Sequence, residues 1–229
     1  MYVLCSLMAP FGDDVAYVAI FDIETQNAIR SMPGSTRLDQ IAMLQLSCAS
    51  VLCLKSELAL DPSRGGEAIE SGVMRTFWRD GDGATAISRM IELLDGAELI
   101  VCYNGLGFDF PVIRKHYRSA EQYAAQLNKT HDIFTRIREV LGQWPKLDAL
   151  LKVNDLELKT ANGLEAIKMW DEGRRDELQT YCECDVRQCA RLVLLPTIRV
   201  PGGGVVSNHV GGIASALVSV RHSNGILLQ

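Results

Sequence analysis

Apolar residues come first in short blocks and later at helical spacing along this chain. The block with Val15, Tyr17, Val18, Ile20 and Phe21 predicts a strand over 15–24. "IAMLQLSCASVLCL" (41–54) predicts one or two more, "VMRTFWR" (73–79) another and "ELIVCYN" (98–104) a further one. Between the last two the period changes. Ile87, Met90, Ile91 and Leu94 fall at i, i+3, i+4 and i+7, the apolar stripe of an amphipathic helix, with Asp82 or Thr85 near its cap. Beyond 104 the pattern is mostly helical, over about 109–120, 132–142, 146–153, 162–173 and 175–195.

Strands lead, one helix crosses, another strand follows and helices finish. That order predicts an α/β fold, a mixed sheet flanked by helices in a single domain. "SMPGSTRLDQ" (31–40) and "LDPSRGGEAIESG" (60–72), rich in Gly, Pro and Ser, read as loops or insertions. The domain is expected over 1–200. From Pro201 the chain is Gly-rich with short apolar runs, and an arm, a hairpin or an oligomer contact all fit a tail over 201–229.

Composition narrows the picture. A chain of 229 residues, 48% hydrophobic and 22% charged, can bury a full core without disulfides or metal staples. The net charge of −5 gives no whole-molecule attraction to nucleic acid or anionic lipid, but it permits a local basic track. The seven cysteines are scattered. Cys5, Cys48, Cys53 and Cys102 sit in apolar runs as small core residues, and Cys182, Cys184 and Cys189 lack a fourth ligand for structural zinc. Reduced thiols in an intracellular, reducing compartment, cytoplasmic or nuclear, are expected. "MYVLCSLMAP" is short and has no basic start, so neither a signal peptide nor a membrane span is expected.

The candidate chemistry lies in three places. Asp22 and Glu24, two apart on a strand, share a face. They form either a paired-carboxylate site or the solvent-exposed end of the strand. In "IVCYNGLGFDFPVIRKH" an apolar strand ends near Asn104, and after a Gly-containing turn Asp109 opens a helix, as a functional carboxylate or simply a cap. In "DELQTYCECDVRQCARLVLL" Tyr181 and Asp185 lie one turn apart on one helix face, where Asp185 could equally mark a polar border.

Taken together, Asp-x-Glu, Asn-x4-Asp and Tyr-x3-Asp, in this order over roughly residues 15–195, resemble the DEDD superfamily of 3′→5′ exonucleases in its Tyr-bearing (DEDDy) branch. The stretch "NGLEAIKMWDEGRRDELQTYCECDV" looks like the stand-alone members related to the proofreading domain of B-family DNA polymerases, through Gly163, Ala166, Trp170, Gly173, Tyr181, Cys182 and Asp185. "KLDALLK" (146–152) and Asp132 of "HDIF" look like intermotif segments, with Asp132 a structural helix cap. The segments 31–40 and 60–72 and the tail depart from the family pattern.

The resemblance implies a ribonuclease-H-like fold and a 3′→5′ exonuclease acting on a single-stranded nucleic-acid 3′ end. Asp22, Glu24, Asp109 and Asp185 would hold two ions, Mg2+ or Mn2+, and Tyr181 would orient the attacking water. A converging anionic cluster is otherwise costly, and all-oxygen ligation suits these cations rather than zinc. Thr25, Asn104 and Phe108 are the candidate substrate contacts, with Phe108 equally suited to stacking on a base or to the core. Arg114, Lys115, His116, Arg118, Arg136 and Arg138 are basic residues near Asp109 and in the next helix, read mostly as solvated helix faces. The alternative is a ribonuclease-H-like module that binds nucleic acid or a partner without catalysis.

Overall fold

The computed structural model describes residues 9–12, 14–79, 84–158 and 163–207. At its centre five strands pair in the order β3-β2-β1-β4-β5: β1 is Tyr17–Thr25, β2 Leu46–Lys55, β3 Val73–Trp78, β4 Leu99–Cys102 and β5 Thr130–Asp132. β2 runs antiparallel to β1 and β3, whereas β1, β4 and β5 are parallel. A parallel neighbour requires a crossover. The helix α4 (Ala84–Gly96) supplies the one into β4.

β1 shows why the first apolar block is a central strand. Its odd residues, Tyr17, Ala19, Phe21 and Ile23, pack with Ile87, Met90 and Leu94 of α4 and with Phe110 and Ile113 of α5 (Asp109–Ile113). Its even residues Val18 and Ile20 face the opposite layer, with Ile137 of α7 (Ile133–Leu141), Leu150 of α8 (Leu147–Val153) and Val186 and Ala190 of α10 (Arg175–Val193). Side chains alternate across a strand, so a sheet covered by helices on both faces needs apolar residues at both parities. Phe21 meets Phe110 edge-on at 5.2 Å. Burying such a ring contributes roughly 1.5–3 kcal/mol, and Phe21→Ala would cost about 3–5 kcal/mol.

Several boundaries differ from the sequence pattern. The run 41–54 holds one strand, because Ile41 and Ala42 close a short helix, α1 (Arg37–Ala42), that begins within the expected loop 31–40. Thr36 and Asp39 form a capping box there: the Asp39 N–H donates to Thr36 Oγ1 at 3.1 Å and the Thr36 N–H to Asp39 Oδ2 at 3.1 Å. The segment 60–72 likewise contains α3 (Gly65–Glu70), which follows α2 (Ser56–Ala59). The expected helix 109–120 ends as α5 and a 3-10 turn at Arg114–His116. Ser119 then caps a separate α6 (Ala120–Asn128). β5 is a three-residue strand that the helical pattern concealed.

After α9 (Gly163–Asp171) and α10, β6 (Thr197–Arg199) and β7 (Val205–Ser207) form a hairpin that runs from the end of the expected domain into the first residues of the expected tail. Gly202, Gly203 and Gly204 all have positive φ in its turn. Ile198 and Val206 are buried against the same layer as Leu150, so the hairpin is part of the domain's packing. Met1 to Met8 with Cys5, Asp82, and the tail over 208–229 lie outside the described residues. No helix among the described residues is long and apolar enough to cross a membrane.

Candidate active site

The site forms where β1 outruns its neighbour. β4 pairs with β1 only at Val18–Ile20. Asp22, Ile23 and Glu24 therefore extend past the parallel ladder, and a register shift against β2 between Glu24 and Thr25 takes the strand out of the sheet. Asp22 and Glu24, at even positions, face the α10 layer, and Cys182 Sγ of α10 lies 3.6 Å from the Asp22 carbonyl oxygen.

The gap beside β1 is filled by the turn after β4. Asn104 has φ +62°. A Cβ on Gly105 would come within 2.5 Å of Cys102 Sγ, so the turn needs glycine there. Asp132 accepts N–H bonds from Asn104 (2.8 Å), Leu106 (3.0 Å) and Thr135 (3.2 Å), which makes it the structural cap of α7 and the anchor of this turn. Asp109 then opens α5, but it does not act as the N-cap. That position is Phe108, without a side-chain bond, and Asp109 Oδ1 accepts the backbone N–H of Ile23 at 3.1 Å. The carboxylate completes the exposed edge of β1.

Tyr181 and Asp185 are both buried, at 4% and 3% exposure, so Asp185 is no polar border. Carboxylate oxygens of Asp22, Glu24 and Asp185 all lie within 4.8 Å of one another. Oxygens bound to one cation at 2.0–2.6 Å are separated by about this distance or less, so the trio has the spacing and the hard-oxygen chemistry of a divalent-cation site. Asp109 stands outside the trio but lines the same cleft. Burial first, and then the charges of Glu24, Asp185 and Asp22, hold the Tyr181 phenol far above its ordinary pKa, and a hydrogen bond joins it to Asp185. The hydroxyl is therefore a fixed proton donor at neutral pH.

All eight residues singled out in the sequence line one open cleft of about 770 Å³. Thr25 Oγ1 donates to the Asn27 carbonyl at 3.0 Å, and half-buried Phe108 also packs against the core. The sequence reading missed Asn27 and Arg30, just before the segment taken as a loop, and Arg37 and Gln40 within it, which all line the cleft. Their signal was one arginine before a helix-capping pattern and one inside it, Arg30 and Arg37. The basic residues near Asp109 behave differently: Arg118 pairs with Glu92, Arg114 lies over the Tyr123 ring, and Lys115 Nζ donates to the Leu44 carbonyl at 2.6 Å. Cys182 and Cys189 are buried cysteines outside any disulfide, and Cys184 a half-buried one.

A family model described as RNase_H superfamily matches residues 67–195. The chain belongs to the RNase H superfamily. The match starts after β2, so Asp22 and Glu24 precede it. The RNase H-like fold also appears in solved structures. The family B DNA polymerase of the archaeon Pyrobaculum calidifontis is 17% identical at a TM-score of 0.51, over 78% of this chain and 24% of that one. An exonuclease I structure described as SSB/Exonuclease I with inhibitor CFAM is 15% identical at 0.51, over 94% and 47%. The metal-free E. coli ExoI–ssDNA complex is 14% identical at 0.50, over 93% and 45%. The chain thus spans less than half the length of each of these proteins, and the likeness is one of fold. No curated protein matches the chain.

Proposed function

We propose that the chain is a divalent-metal-dependent 3′→5′ exonuclease that hydrolyses phosphodiester bonds at a single-stranded nucleic-acid 3′ end and releases nucleoside monophosphates. The observation that carries this reading is the convergence of Asp22, Glu24 and Asp185 within 4.8 Å, in a cleft that also holds Asp109 and Tyr181. Asp22, Glu24, Asp109 and Asp185 would hold two ions, Mg2+ or Mn2+. Divalent cations held there supply charge neutralisation at the phosphate and a lowered water pKa. The chain's own part is positioning. The Tyr181 hydroxyl, kept protonated by its buried acidic surroundings, orients water by hydrogen bonding and does not remove its proton. Thr25, Asn104 and Phe108 would contact the terminal nucleotides. Exonuclease I, similar in fold, has been solved with single-stranded DNA, which supports an open strand as the substrate class.

The test is digestion of matched DNA and RNA oligonucleotides, each end labelled in turn, with Mn2+ and with chelator. Labelled mononucleotide should leave first from the 3′-labelled strand, and only with metal. Cuts in circular single strands would make the chain an endonuclease. Binding with no cleavage would make it a non-catalytic module.

A further inference from the structure

One wall of the cleft is formed by residues 26–44, and its charge is opposite to that of the floor. Arg30 ends the 3-10 turn Ile29–Ser31, and Arg37 opens α1. Both are exposed and both line the cleft whose floor carries Asp22, Glu24, Asp109 and Asp185. Neither makes an ion pair among the described residues. Elsewhere on this acidic chain arginines readily find carboxylates, as Arg64 does with Glu67, Arg187 with Glu183, Arg191 with Glu157 and Arg199 with Asp155. The wall is also fixed in place. The Thr36–Asp39 capping box holds the start of α1, Gln40 Nε2 donates to the Met32 carbonyl at 3.1 Å, and Ile41 and Leu44 are buried in the core.

A second basic group stands at the foot of this wall. Leu44 lines the cleft, and its carbonyl accepts Lys115 Nζ at 2.6 Å. Where β2 begins, the Arg79 backbone N–H donates to Ser47 O at 3.0 Å. Burial and then the charge of Arg79 lower the Lys115 pKa, while burial, Lys115 and Arg79 lower that of His116. Lys115 and Arg79 are thus near enough for their like charges to act on each other, a repulsion that a bound anion relieves.

Resting on the nuclease reading of the cleft, we propose that Arg30 and Arg37, continued by Arg79, Lys115 and His116 beyond Leu44, form a track for the phosphodiester backbone of the strand that leads to the reacting 3′ end. Guanidinium groups match phosphate oxygens in a two-point fork. Backbone contacts carry no base information, so the track holds any sequence and does so in a salt-dependent way.

The experiment measures the dissociation constant of a fluorescent single-stranded oligonucleotide, its 3′ linkage blocked by phosphorothioate, in Mn2+ over a range of salt concentrations. Parent, Arg37→Ala, Arg79→Ala and the control Arg191→Ala are compared, with thermal melts to show that each is folded. For a single strand each phosphate contact contributes about 0.7 to the slope of log K against log salt. Arg37→Ala and Arg79→Ala should each reduce the slope by about that amount on every sequence tried. Arg191→Ala should match the parent, and Arg37→Lys should recover the slope. If the parent binds and digests the strand while both alanine variants keep its slope, the track is wrong and the nuclease reading stands. If the parent neither binds nor digests any strand, the nuclease reading fails and the track with it.

Discussion

Glu165, Glu172 and Glu177 surround the Arg174 guanidinium between α9 and α10, at 2.6, 2.8 and 3.0 Å. Farther along α10, Asp185 meets Asp22 and Glu24 with their oxygens within 4.8 Å. Each place gathers three carboxylates. At the first the chain supplies the cation, and the Arg174 hydrogen bond holds the Glu165 carboxyl below the usual range. At the second the carboxylates are more deeply buried, Glu24 at 8% and Asp185 at 3% exposure, and burial, followed by their charges, drives the Tyr181 phenol upward. The lesson is that a carboxylate cluster has meaning only together with its counter-charge. The glutamate group is a surface staple between two helices, and the cleft group has the oxygen spacing of a divalent-cation site.

The largest effect that would break this contrast is on turnover. Asp22→Asn removes a proposed ligand and should lower the release of 3′-terminal nucleotide in Mn2+ by at least about a hundredfold. Unchanged turnover at saturating Mn2+ would return Asp22 to the role of an ordinary strand end.

Tyr181→Phe should have a smaller effect, roughly 10 to 1000-fold on turnover with little change in metal affinity, because it removes an orienting hydroxyl and no ligand. The same residue gives a pH readout. Burial and the neighbouring acids raise its pKa, so in the metal-free protein Tyr181 should stay protonated at about pH 10, where an ordinary tyrosine is half ionised. Ultraviolet titration of the parent minus that of Tyr181→Phe should show no phenolate there.

Stability sharpens the comparison further. At ten times its Kd, Mn2+ bound only by the folded chain adds about 1.4 kcal/mol, or about 3–6 °C in Tm for this length. Asp22→Asn should melt above the parent in chelator, since one repelling charge is gone, and should gain less from Mn2+. Arg174→Ala should do the reverse at the glutamate group: a slightly lower Tm, since surface ion pairs are weak, with the parent's full Mn2+ gain. Equal gains in parent and Asp22→Asn would put the ion elsewhere.

The smallest effect concerns thiol labelling. Half-buried Cys184 should react with a maleimide in the folded protein, while Cys48, Cys182 and Cys189 should react only after denaturation. Early labelling of Cys182, which lies against Asp22, would show that α10 opens away from β1.

Much of this arrangement was legible in the sequence because it rests on local periodicity. Alternation along β1 puts Asp22 and Glu24 on one face, and helical spacing puts Tyr181 over Asp185. The helical run 175–195 was equally plain, and it forms α10. What the sequence concealed depends on short elements and distant partners. α1 has six residues, with Leu38 60% exposed, and gives too few turns for a period to show. β5 has three residues and owes its strand form to pairing with β4. The acceptor role of Asp109 could not be read, because Ile23 is 86 residues away and the bond exists only where β4 stops short. Arg37 looked like a loop residue, and Arg30 just before that loop drew no reading, because the wall they stand on is fixed by packing of Ile41 and Leu44, not by their own neighbours.

The bond from the Ile23 N–H to Asp109 also provides a gauge of the site. Amide hydrogens in a strand exchange with deuterated solvent slowly while their acceptor stays in place. For Ile23 that acceptor is a side chain, so its exchange rate records whether Asp109 faces the strand or has turned into the cleft. One backbone amide, followed by nuclear magnetic resonance during titration with metal or with an oligonucleotide, would time the rearrangement of the fourth carboxylate without any label in the cleft.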